Sequence, residues 1–301
     1  MRVLVTGAAG YVGYAVGRRL VAAGHEVDGL VRAPGRTVPP GVRPVVGDLL
    51  GPLTLDGTYD AVCHLAALTR VRESFTEPLR FYTANVQGTV HLLDALRGEP
   101  TVVYGSTGAV YGTPDELPVL ETQPAAPSNP YGASKLAAED AVRYQAATGQ
   151  IGAVVLRTFN VSGSVDGRGD PDPTRLIPRA LAVAAGTAPH LEVNGDGGAV
   201  REYLHVDDLA RAYELALTAA TPGTHRVYNV GSGVGASVAE VIGTVEKVTG
   251  RDVRVVHRPP APEPPLLLSD TAAIRRDLGW APERSALAEV VGSAWEALQA
   301  R

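Results

Sequence analysis

Short apolar runs alternate with helical patterns through the first 160 residues of this 301-residue chain. Strands separated by helices pair in parallel through right-handed crossovers, and strands covered by helices on both faces are almost wholly apolar, as these runs are. The pattern predicts a doubly wound parallel α/β sheet. Its expected strands are residues 3–6, 26–31, 44–46, 61–65, 102–105 and 153–157, and its expected helices include 12–23, 79–96 and 131–148.

The regular alternation of predicted strands and helices ends at about residue 162. Segment 162–174 is rich in Gly, Asp and Pro, segment 258–265 is rich in Pro, and both are predicted to be loops. Helices are expected at 207–218, 238–249 and 286–298, with a few short strands. A smaller C-terminal region is therefore expected to sit on the sheet domain.

Composition argues against several classes of partner. The net charge of −5 gives no general attraction to nucleic acid or to an anionic membrane. The single cysteine, Cys63, excludes an internal disulfide and a multi-cysteine metal site, so no metal is expected. No apolar run approaches the roughly 18 residues of a membrane span. These features predict a cytoplasmic protein.

Three glycines, Gly7, Gly10 and Gly13, follow the first predicted strand and open the first predicted helix. Glycines at such a turn let backbone N–H groups approach a pyrophosphate, and the helix N-terminus adds partial positive charge. The spacing differs from the usual G-x-G-x-x-G fingerprint, which leaves a ligand-free glycine turn as an alternative. We predict a dinucleotide site, which makes the sheet Rossmann-type.

The residues at the end of the second strand do not decide between NAD and NADP. A carboxylate there would hold the adenosine ribose of NAD, whereas this chain has Val31 followed by Arg32. Arg32 suits the 2′-phosphate of NADP, stacking over adenine in an NAD site, or a solvated surface position. Asp48, after the third strand, is a candidate contact for the adenine amino group. NAD is expected, with NADP as the alternative.

Tyr131 and Lys135 are predicted to project side by side from one helix. Ser128 or Asn129 suits its cap and Pro130 its first turn, and residues four apart share a helix face. A phenol acts as a base at neutral pH only if its pKa falls by roughly 3 units. A neighbouring ammonium and a cationic nicotinamide ring both favour that shift. Lys135 is one of only two lysines among 27 basic residues; the plainer alternative is a surface pair.

With these motifs in this order, the chain resembles the extended short-chain dehydrogenases/reductases. Within them it is most similar to nucleotide-sugar epimerases of the UDP-glucose 4-epimerase type, and the resemblance runs nearly end to end. Further blocks that carry it are His64-Leu65-Ala66-Ala67, Asn85-Val86-Gln87-Gly88-Thr89, Arg157-Thr158-Phe159-Asn160, Leu176-Ile177-Pro178, Arg201-Glu202-Tyr203 and Leu278-Gly279-Trp280.

The resemblance implies roles for individual residues. Tyr131 would be the acid/base on a sugar hydroxyl, Lys135 would tune it and hold the nicotinamide ribose, and Thr107, helped by Ser106, would hydrogen-bond the same hydroxyl. The implied cofactor-binding residues are Gly7, Ala9, Gly10, Tyr11, Val12, Arg32, Asp48, Leu49, Leu65, Ala66, Ala67, Arg70, Asn85, Tyr131 and Lys135. The implied substrate-binding residues are Thr107, Asn160, Leu176, Arg201 and Arg258, with Asn160 and Arg201 on the diphosphate.

The resemblance also implies a reaction and an assembly. The reaction would be C4 epimerisation of a UDP- or other nucleotide-linked hexose through a transient 4-keto sugar. The implied domains are a dinucleotide-binding part at 1–160, rejoined by 201–230, and a nucleotide-sugar-binding part at 161–200 and 231–301. A homodimer would form through the helices at 79–96 and 131–148.

The sequence also bears on several other activities of related enzymes. Dehydratases of the superfamily carry Asp-Glu after the threonine, and decarboxylases tend to keep a glutamate there. This chain has Gly108-Ala109 instead, which disfavours both. An NADPH-dependent reductase of nucleotide-linked 4-ketosugars is the main alternative, because Arg32 suits NADP. A dinucleotide-sensing regulator without catalysis is the other.

Overall fold

The structure, a computed structural model, describes residues 1–260 and 264–300. Its strands are β1 (Arg2–Thr6), β2 (Glu26–Val31), β3 (Val42–Val46), β4 (Ala61–His64), β5 (Thr101–Thr107), β6 (Gly152–Thr158), β7 (Val161–Ser162), β8 (Ser164–Val165), β9 (Arg168–Gly169), β10 (Leu191–Asn194), β11 (Val200–Glu202), β12 (Leu204–His205), β13 (His225–Val230), β14 (Gly235–Ser237), β15 (Val255–Arg258) and β16 (Leu266–Leu267). Its helices are α1 (Tyr11–Ala22), α2 (Val71–Thr76), α3 (Pro78–Tyr82), α4 (Gly88–Ala95), α5 (Pro130–Ala147), α6 (Leu176–Ala184), α7 (Val206–Ala216), α8 (Val238–Thr249), α9 (Ala272–Leu278) and α10 (Leu287–Gln299).

One parallel sheet organises the described residues. Seven of their strands lie side by side in the order β13-β6-β5-β4-β1-β2-β3. Alternate side chains point to opposite faces: Val5 and Val103 pack with α1 and α7, whereas Leu4 and Val102 pack beneath α4 and α5. The predicted doubly wound α/β class is therefore confirmed. The strand order reverses between β1 and β4, and such sheets bind ligands in the crevice at that switch point.

The predicted strands and helices are present within about two residues of their expected bounds except in one region, and the structure adds α6, α9 and the short strands β8 and β9, which were not predicted. The single helix predicted at 79–96 is divided into α3, a π-helical turn at Thr83–Gln87 and α4, and an additional helix, α2, precedes them. A π-turn inserts an extra residue into the helix, and here it directs the buried Asn85 side chain inward. Hydrophobic periodicity does not reveal such a local insertion.

The C-terminal region has a core of its own. Helices α6, α8 and α10 pack their apolar faces together, with Leu181, Val241 and Val290 at the centre. Trp280 joins this region to the sheet domain: its fully buried ring donates from Nε1 to the Asp208 carbonyl at the start of α7, at 2.9 Å. The two regions therefore share buried contacts.

The described residues contain neither a membrane-spanning helix nor a cluster of metal ligands. Within residues 1–260 and 264–300, no helix is both long enough and apolar enough to cross a membrane. No group of three or more His, Cys, Asp or Glu side chains in this part of the chain is placed to hold a metal ion.

A substitution at Gly13 tests the close contact between α1 and the turn after β1. A Cβ atom at this position would lie 2.1 Å from the Gly7 carbonyl oxygen, so we expect Gly13→Ala to lower the free energy of unfolding by roughly 1–3 kcal/mol. Gly243→Ala is the matched control, because a Cβ there meets no atom within 4 Å and helical alanine is favoured over glycine. Urea unfolding of both variants measures the effect. A Gly13→Ala protein as stable as its parent would contradict the expectation.

Candidate active site

The turn between β1 and α1 has the geometry of an anion cradle. Gly7 adopts a positive φ of 70°, and its carbonyl accepts a hydrogen bond from the Gly10 N–H at 2.8 Å. Helix α1 begins after Gly10, and no side chain of the described residues caps its first N–H groups. These N–H groups and the positive end of a 12-residue helix fit a pyrophosphate. The turn therefore fits the predicted dinucleotide.

A buried chain of hydrogen bonds ties the end of β1 to the end of β4. The Leu65 and Ala66 N–H groups donate to Thr6 Oγ1 at 3.0 and 3.1 Å, and that oxygen lies 2.7 Å from His64 Nδ1. Because Thr6 already accepts two bonds, its proton goes to Nδ1, and His64 donates from Nε2 to Thr89 Oγ1 at 2.9 Å. Burial lowers the pKa of His64 to about 3. A neutral histidine thus fixes the loop beside the glycine turn.

The residues predicted to contact adenosine lie at the ends of β2 and β3. Arg32 and Asp48 are both exposed, and Asp48 Oδ1 accepts from the Leu50 N–H at 3.0 Å. The Leu49 side chain is buried in the core, and its carbonyl oxygen lies 2.7 Å from His91 Nδ1. The Leu49 side chain therefore packs in the core, and the roles of Leu49, Arg32 and Asp48 as cofactor contacts stay predictions.

Helix α5 places Tyr131 and Lys135 on its buried face. Tyr131 hydrogen-bonds with the Thr107 hydroxyl at the end of β5. Burial raises the pKa of Tyr131, while the Thr107 bond and the charge of Arg175 lower it. Lys135 Nζ lies 4.1 Å from the centre of the Tyr104 ring, and burial lowers the pKa of Lys135 to about 7. The structure therefore brings together Tyr131, Thr107 and Lys135.

The Ser106 hydroxyl has a different hydrogen-bond partner from the one expected. Its hydroxyl donates to the carboxylate of Glu139, which also forms a buried ion pair with Arg157 at 2.7 Å. The expected cooperation of Ser106 with Thr107 on a sugar hydroxyl does not match this contact. Glu139 was not predicted as a site residue. Its position four residues after Lys135 nevertheless places it on the same face of α5.

The predicted cofactor contact Asn85 is engaged with protein groups. Its Oδ1 accepts from the Leu68 N–H at 2.8 Å, and its Nδ2 donates to the Leu68 carbonyl at 3.1 Å and to Ser134 Oγ at 2.9 Å. Ser134 in turn donates to the Tyr131 carbonyl at 2.8 Å. These bonds suit a residue that positions the first turn of α5.

Segment 163–175 passes from the C-terminal region over the glycine turn. Tyr11 donates its hydroxyl to the Gly163 carbonyl at 2.8 Å. Arg168 donates from Nη2 to the Ala9 carbonyl at 3.4 Å. The segment, which sequence patterns identified only as a loop, therefore forms one wall of the crevice.

Arg175 is a cation near the site that sequence reasoning did not single out. It precedes α6 and pairs with Asp170 at 3.0 Å and Asp172 at 3.8 Å. Arg70, a predicted cofactor contact, reaches Asp172 from the β4 side at 3.8 Å. These pairs link the two sides of the crevice, and the charge of Arg175 acts on Tyr131.

Two of the predicted substrate residues lie at the carboxyl end of β6 and the start of α6. Asn160 is exposed after β6, and its Nδ2 donates to the Glu202 carbonyl at 3.2 Å. Leu176 is the first residue of α6 and packs partly against the C-terminal core. Their contacts with a substrate stay predictions.

The other two predicted substrate residues lie on β11 and β15. Arg201 is half-buried, and its Nη1 donates to the Val200 carbonyl at 2.8 Å. Arg258 forms an ion pair with Glu192 at 2.6 Å. Residues 261–263, within the segment 258–265 predicted to be a loop, lie outside the described residues.

Comparison with known proteins assigns this architecture to a family. The model of the NAD dependent epimerase/dehydratase family matches residues 3–231. The chain belongs to this family. Among its relatives, the UDP-glucose 4-epimerase of Streptomyces lividans is 40% identical over 97% of this chain and 94% of its own length. The probable UDP-arabinose 4-epimerase 3 of Arabidopsis thaliana is 34% identical over 98% of this chain and 80% of its own length.

A solved structure supports the epimerase/dehydratase assignment over the whole chain. The UDP-glucose-4-epimerase of Stenotrophomonas maltophila, with bound NAD and formylated UDP-arabinopyranose, superposes with a TM-score of 0.91 at 31% identity, covering 100% of this chain and 98% of that one. The similarity includes the C-terminal region as well as the sheet, and the resemblance found in the sequence is confirmed.

Lys135 is expected to make the stability of this epimerase/dehydratase-family protein depend on pH. Its pKa of about 7 in the folded chain lies below the ~10.4 of an unfolded lysine, so stability is lost as pH falls from about 10 to about 7. We expect Lys135→Met to raise the free energy of unfolding at pH 7 by on the order of 2–4 kcal/mol, with the gain vanishing near pH 10. Lys247→Met, at an exposed site, is the control. Urea unfolding of dinucleotide-free protein measures both, and an unstabilised Lys135→Met would refute the expectation.

Proposed function

We propose that the chain is an NAD-dependent nucleotide-sugar 4-epimerase that inverts C4 of a UDP-hexose through a transient 4-keto sugar. The observation that carries this is the buried pairing of Tyr131 with Thr107, with Lys135 one turn along α5. The group lies at the end of the sheet where a glycine turn fits a pyrophosphate. Relatives that match nearly the whole chain are UDP-glucose and UDP-arabinose 4-epimerases, which favours epimerisation.

Tyr131 is proposed as the acid/base on the sugar hydroxyl at C4. To accept that proton it must be a phenolate, and burial opposes this by raising its pKa. The Thr107 hydrogen bond and the charge of Arg175 lower the pKa again, and a Lys135 ammonium favours the phenolate in the same way. NAD bound at the glycine turn would supply the hydride acceptor and donor that the oxidation of C4 and its reversal need. Tyr131 then returns the proton.

The remaining predicted residues are proposed to hold the two ligands. The N–H groups after Gly10 would receive the pyrophosphate, and Lys135 the nicotinamide ribose. Asn160 and Arg201 would hold the substrate diphosphate, for which a guanidinium suits bidentate contacts. Binding energy spent on the nucleotide, remote from C4, keeps the keto sugar from escaping while it turns over.

The alternative reactions fit less well. A 4,6-dehydratase or a decarboxylase would place a carboxylate after Thr107, where Gly108 and Ala109 stand. A Cβ atom at Gly108 would lie 3.0 Å from the Phe159 ring, so a side chain there would require this ring to shift. The NADPH-dependent ketosugar reductase is not favoured, since the named relatives are 4-epimerases and solved ones hold NAD. NAD is therefore the proposed cofactor, and a cytoplasmic location stays a prediction.

We further propose a homodimer formed through the face of α2 to α5. Among the described residues, this face exposes a row of large apolar side chains, and contiguous exposed apolar surface marks association sites. They are Phe75, Leu79, Tyr82, Val90 and Tyr144, with Leu79 exposed to 80%.

A charge at the centre of this face should prevent the dimer. We expect Leu79→Glu to sediment as a monomer in analytical ultracentrifugation while its parent sediments as a dimer, because a carboxylate cannot be buried unpaired at an apolar interface. Val234→Glu is the matched control, since Val234 is similarly exposed, at 72%, but lies elsewhere. A monomeric parent would rule the dimer out.

The epimerase itself is tested without added cofactor. We expect the purified protein to carry bound NAD and to interconvert UDP-glucose and UDP-galactose, because the hydride returns to the sugar it left. Chromatographic separation of the two UDP-sugars and release of NAD on denaturation measure this. Protein that arrives without dinucleotide and consumes NADPH with a 4-ketosugar would establish the reductase instead.

Tyr131→Phe separates chemistry from binding in the same assay. We expect a loss of about 10²–10⁴ in kcat with NAD still bound, since only the proton-transferring hydroxyl is removed. Tyr144→Phe makes the same change at an exposed position of the same helix and should leave kcat unchanged. Full activity of Tyr131→Phe would exclude Tyr131 as the acid/base.

A further inference from the structure

We propose that Glu139 is a positioning residue of the active site. Its buried carboxylate favours the ammonium form of Lys135 and ties α5 to the end of β5 that carries Thr107. The inference rests on the proposed function, which assigns Lys135 and Thr107 to the reaction. Glu139 itself is not expected to touch either ligand.

Glu139 extends the buried face of α5 below the two predicted catalytic residues. Tyr131, Lys135 and Glu139 follow one another at intervals of four, so they stand one above another along the helix. All three are buried, Glu139 to 5% exposure and Lys135 to 3%. A carboxylate therefore follows the lysine one turn along α5, on the same buried face.

Two neighbouring strands hold this carboxylate. Arg157 on β6 donates from Nη2 to Glu139 Oε2 at 2.7 Å and from Nε to both oxygens at 3.2 Å. Ser106 on β5 donates its hydroxyl to Oε1. Since Ser106 directly precedes Thr107, the bond ties α5 to β5 next to the hydroxyl that meets Tyr131. The carboxylate is thus held in place from two strands and coupled to the site.

A second set of contacts holds Arg157. Its Nη1 donates to the Tyr111 hydroxyl at 3.0 Å, and that hydroxyl donates to Asn229 Oδ1 at 2.7 Å. Asn229 lies on β13, so the network spans three adjacent strands. A buried ion pair is weak evidence for stability, because desolvation offsets the attraction. A network this complete, directly under the site, suggests an electrostatic role.

The groups that face Lys135 leave Glu139 as its anion. On α5 these are Tyr131 and Glu139, on β5 Tyr104 lies under Nζ, and on β4 stands His64. Burial keeps His64 neutral and raises the pKa of both tyrosines. In the part of the chain that the structure describes, the charge of Glu139 is what raises the pKa of Lys135 against the effect of burial.

The scarcity of lysine makes the effect directly measurable. The chain has only Lys135 and Lys247, so protein labelled with ¹³C at lysine Cε gives two lysine signals, and the exposed Lys247 serves as an internal reference. In the NAD-loaded protein we expect Glu139→Gln to lower the Lys135 pKa by about one to two pH units. Asp140→Asn removes a charge from the adjacent, exposed position and should leave it unchanged. Equal Lys135 pKa values in Glu139→Gln and the parent would overturn the inference.

The pH profile of turnover gives an independent readout. We expect the alkaline limb of kcat to move to lower pH in Glu139→Gln by the same amount as the NMR pKa, with KM for UDP-glucose changed by less than about threefold. An unshifted alkaline limb would overturn the inference. A parent protein without epimerase activity would instead overturn the proposed function, and the NMR titration would still decide the effect of Glu139 on Lys135.

A double variant guards against a folding defect. Glu139→Gln leaves Arg157 without its counter-ion, whereas Glu139→Gln combined with Arg157→Met removes both charges. We expect the Lys135 pKa of the double variant to lie above that of the single one, because the unpaired Arg157 guanidinium is gone, and below that of the parent, because the carboxylate is still absent. A Lys135 pKa in the double variant equal to that of the parent would overturn the assignment to Glu139.

Discussion

Burial of ionisable side chains between α5 and the carboxyl ends of β4, β5 and β6 is the constraint on which this structure depends. An ammonium and a carboxylate removed from water are costly unless each meets a partner. Lys135 meets the Tyr104 ring and the charge of Glu139, and Glu139 meets Arg157 and Ser106. These contacts, together with the apolar packing of α5 on the sheet, set the register that brings Tyr131 to Thr107.

The ends of β1 and β4 are held together without charge. A neutral His64, bonded to Thr6 and Thr89, holds the ends of β1 and β4 together beside the glycine turn. Segment 163–175 then crosses this turn and brings Arg175 into range of Tyr131. The site is thus assembled from a rigid sheet edge and a polar loop of the C-terminal region.

How far sequence reasoning reached differs from residue to residue. The pairing of Tyr131 with Lys135 was predictable because helical spacing alone places them on one face. The inward position of Asn85 was not, since a π-turn leaves no trace in hydrophobic periodicity. Ser106 was expected beside Thr107, yet its hydroxyl serves Glu139, a partner 33 residues away that only packing of α5 on β5 supplies. The individual roles predicted for cofactor and substrate contacts remain proposals.

The sequence by itself determined the fold class, the family and the order of the motifs, because periodicity, glycine spacing and the i, i+4 rule are local properties. Tertiary structure alone decided which charges surround the reacting tyrosine. Lys135 loses water only when α5 closes on the sheet, and Arg175 reaches Tyr131 from a distant loop. Desolvation and long-range charge depend on what the whole chain packs around a group, and no stretch of sequence contains that information.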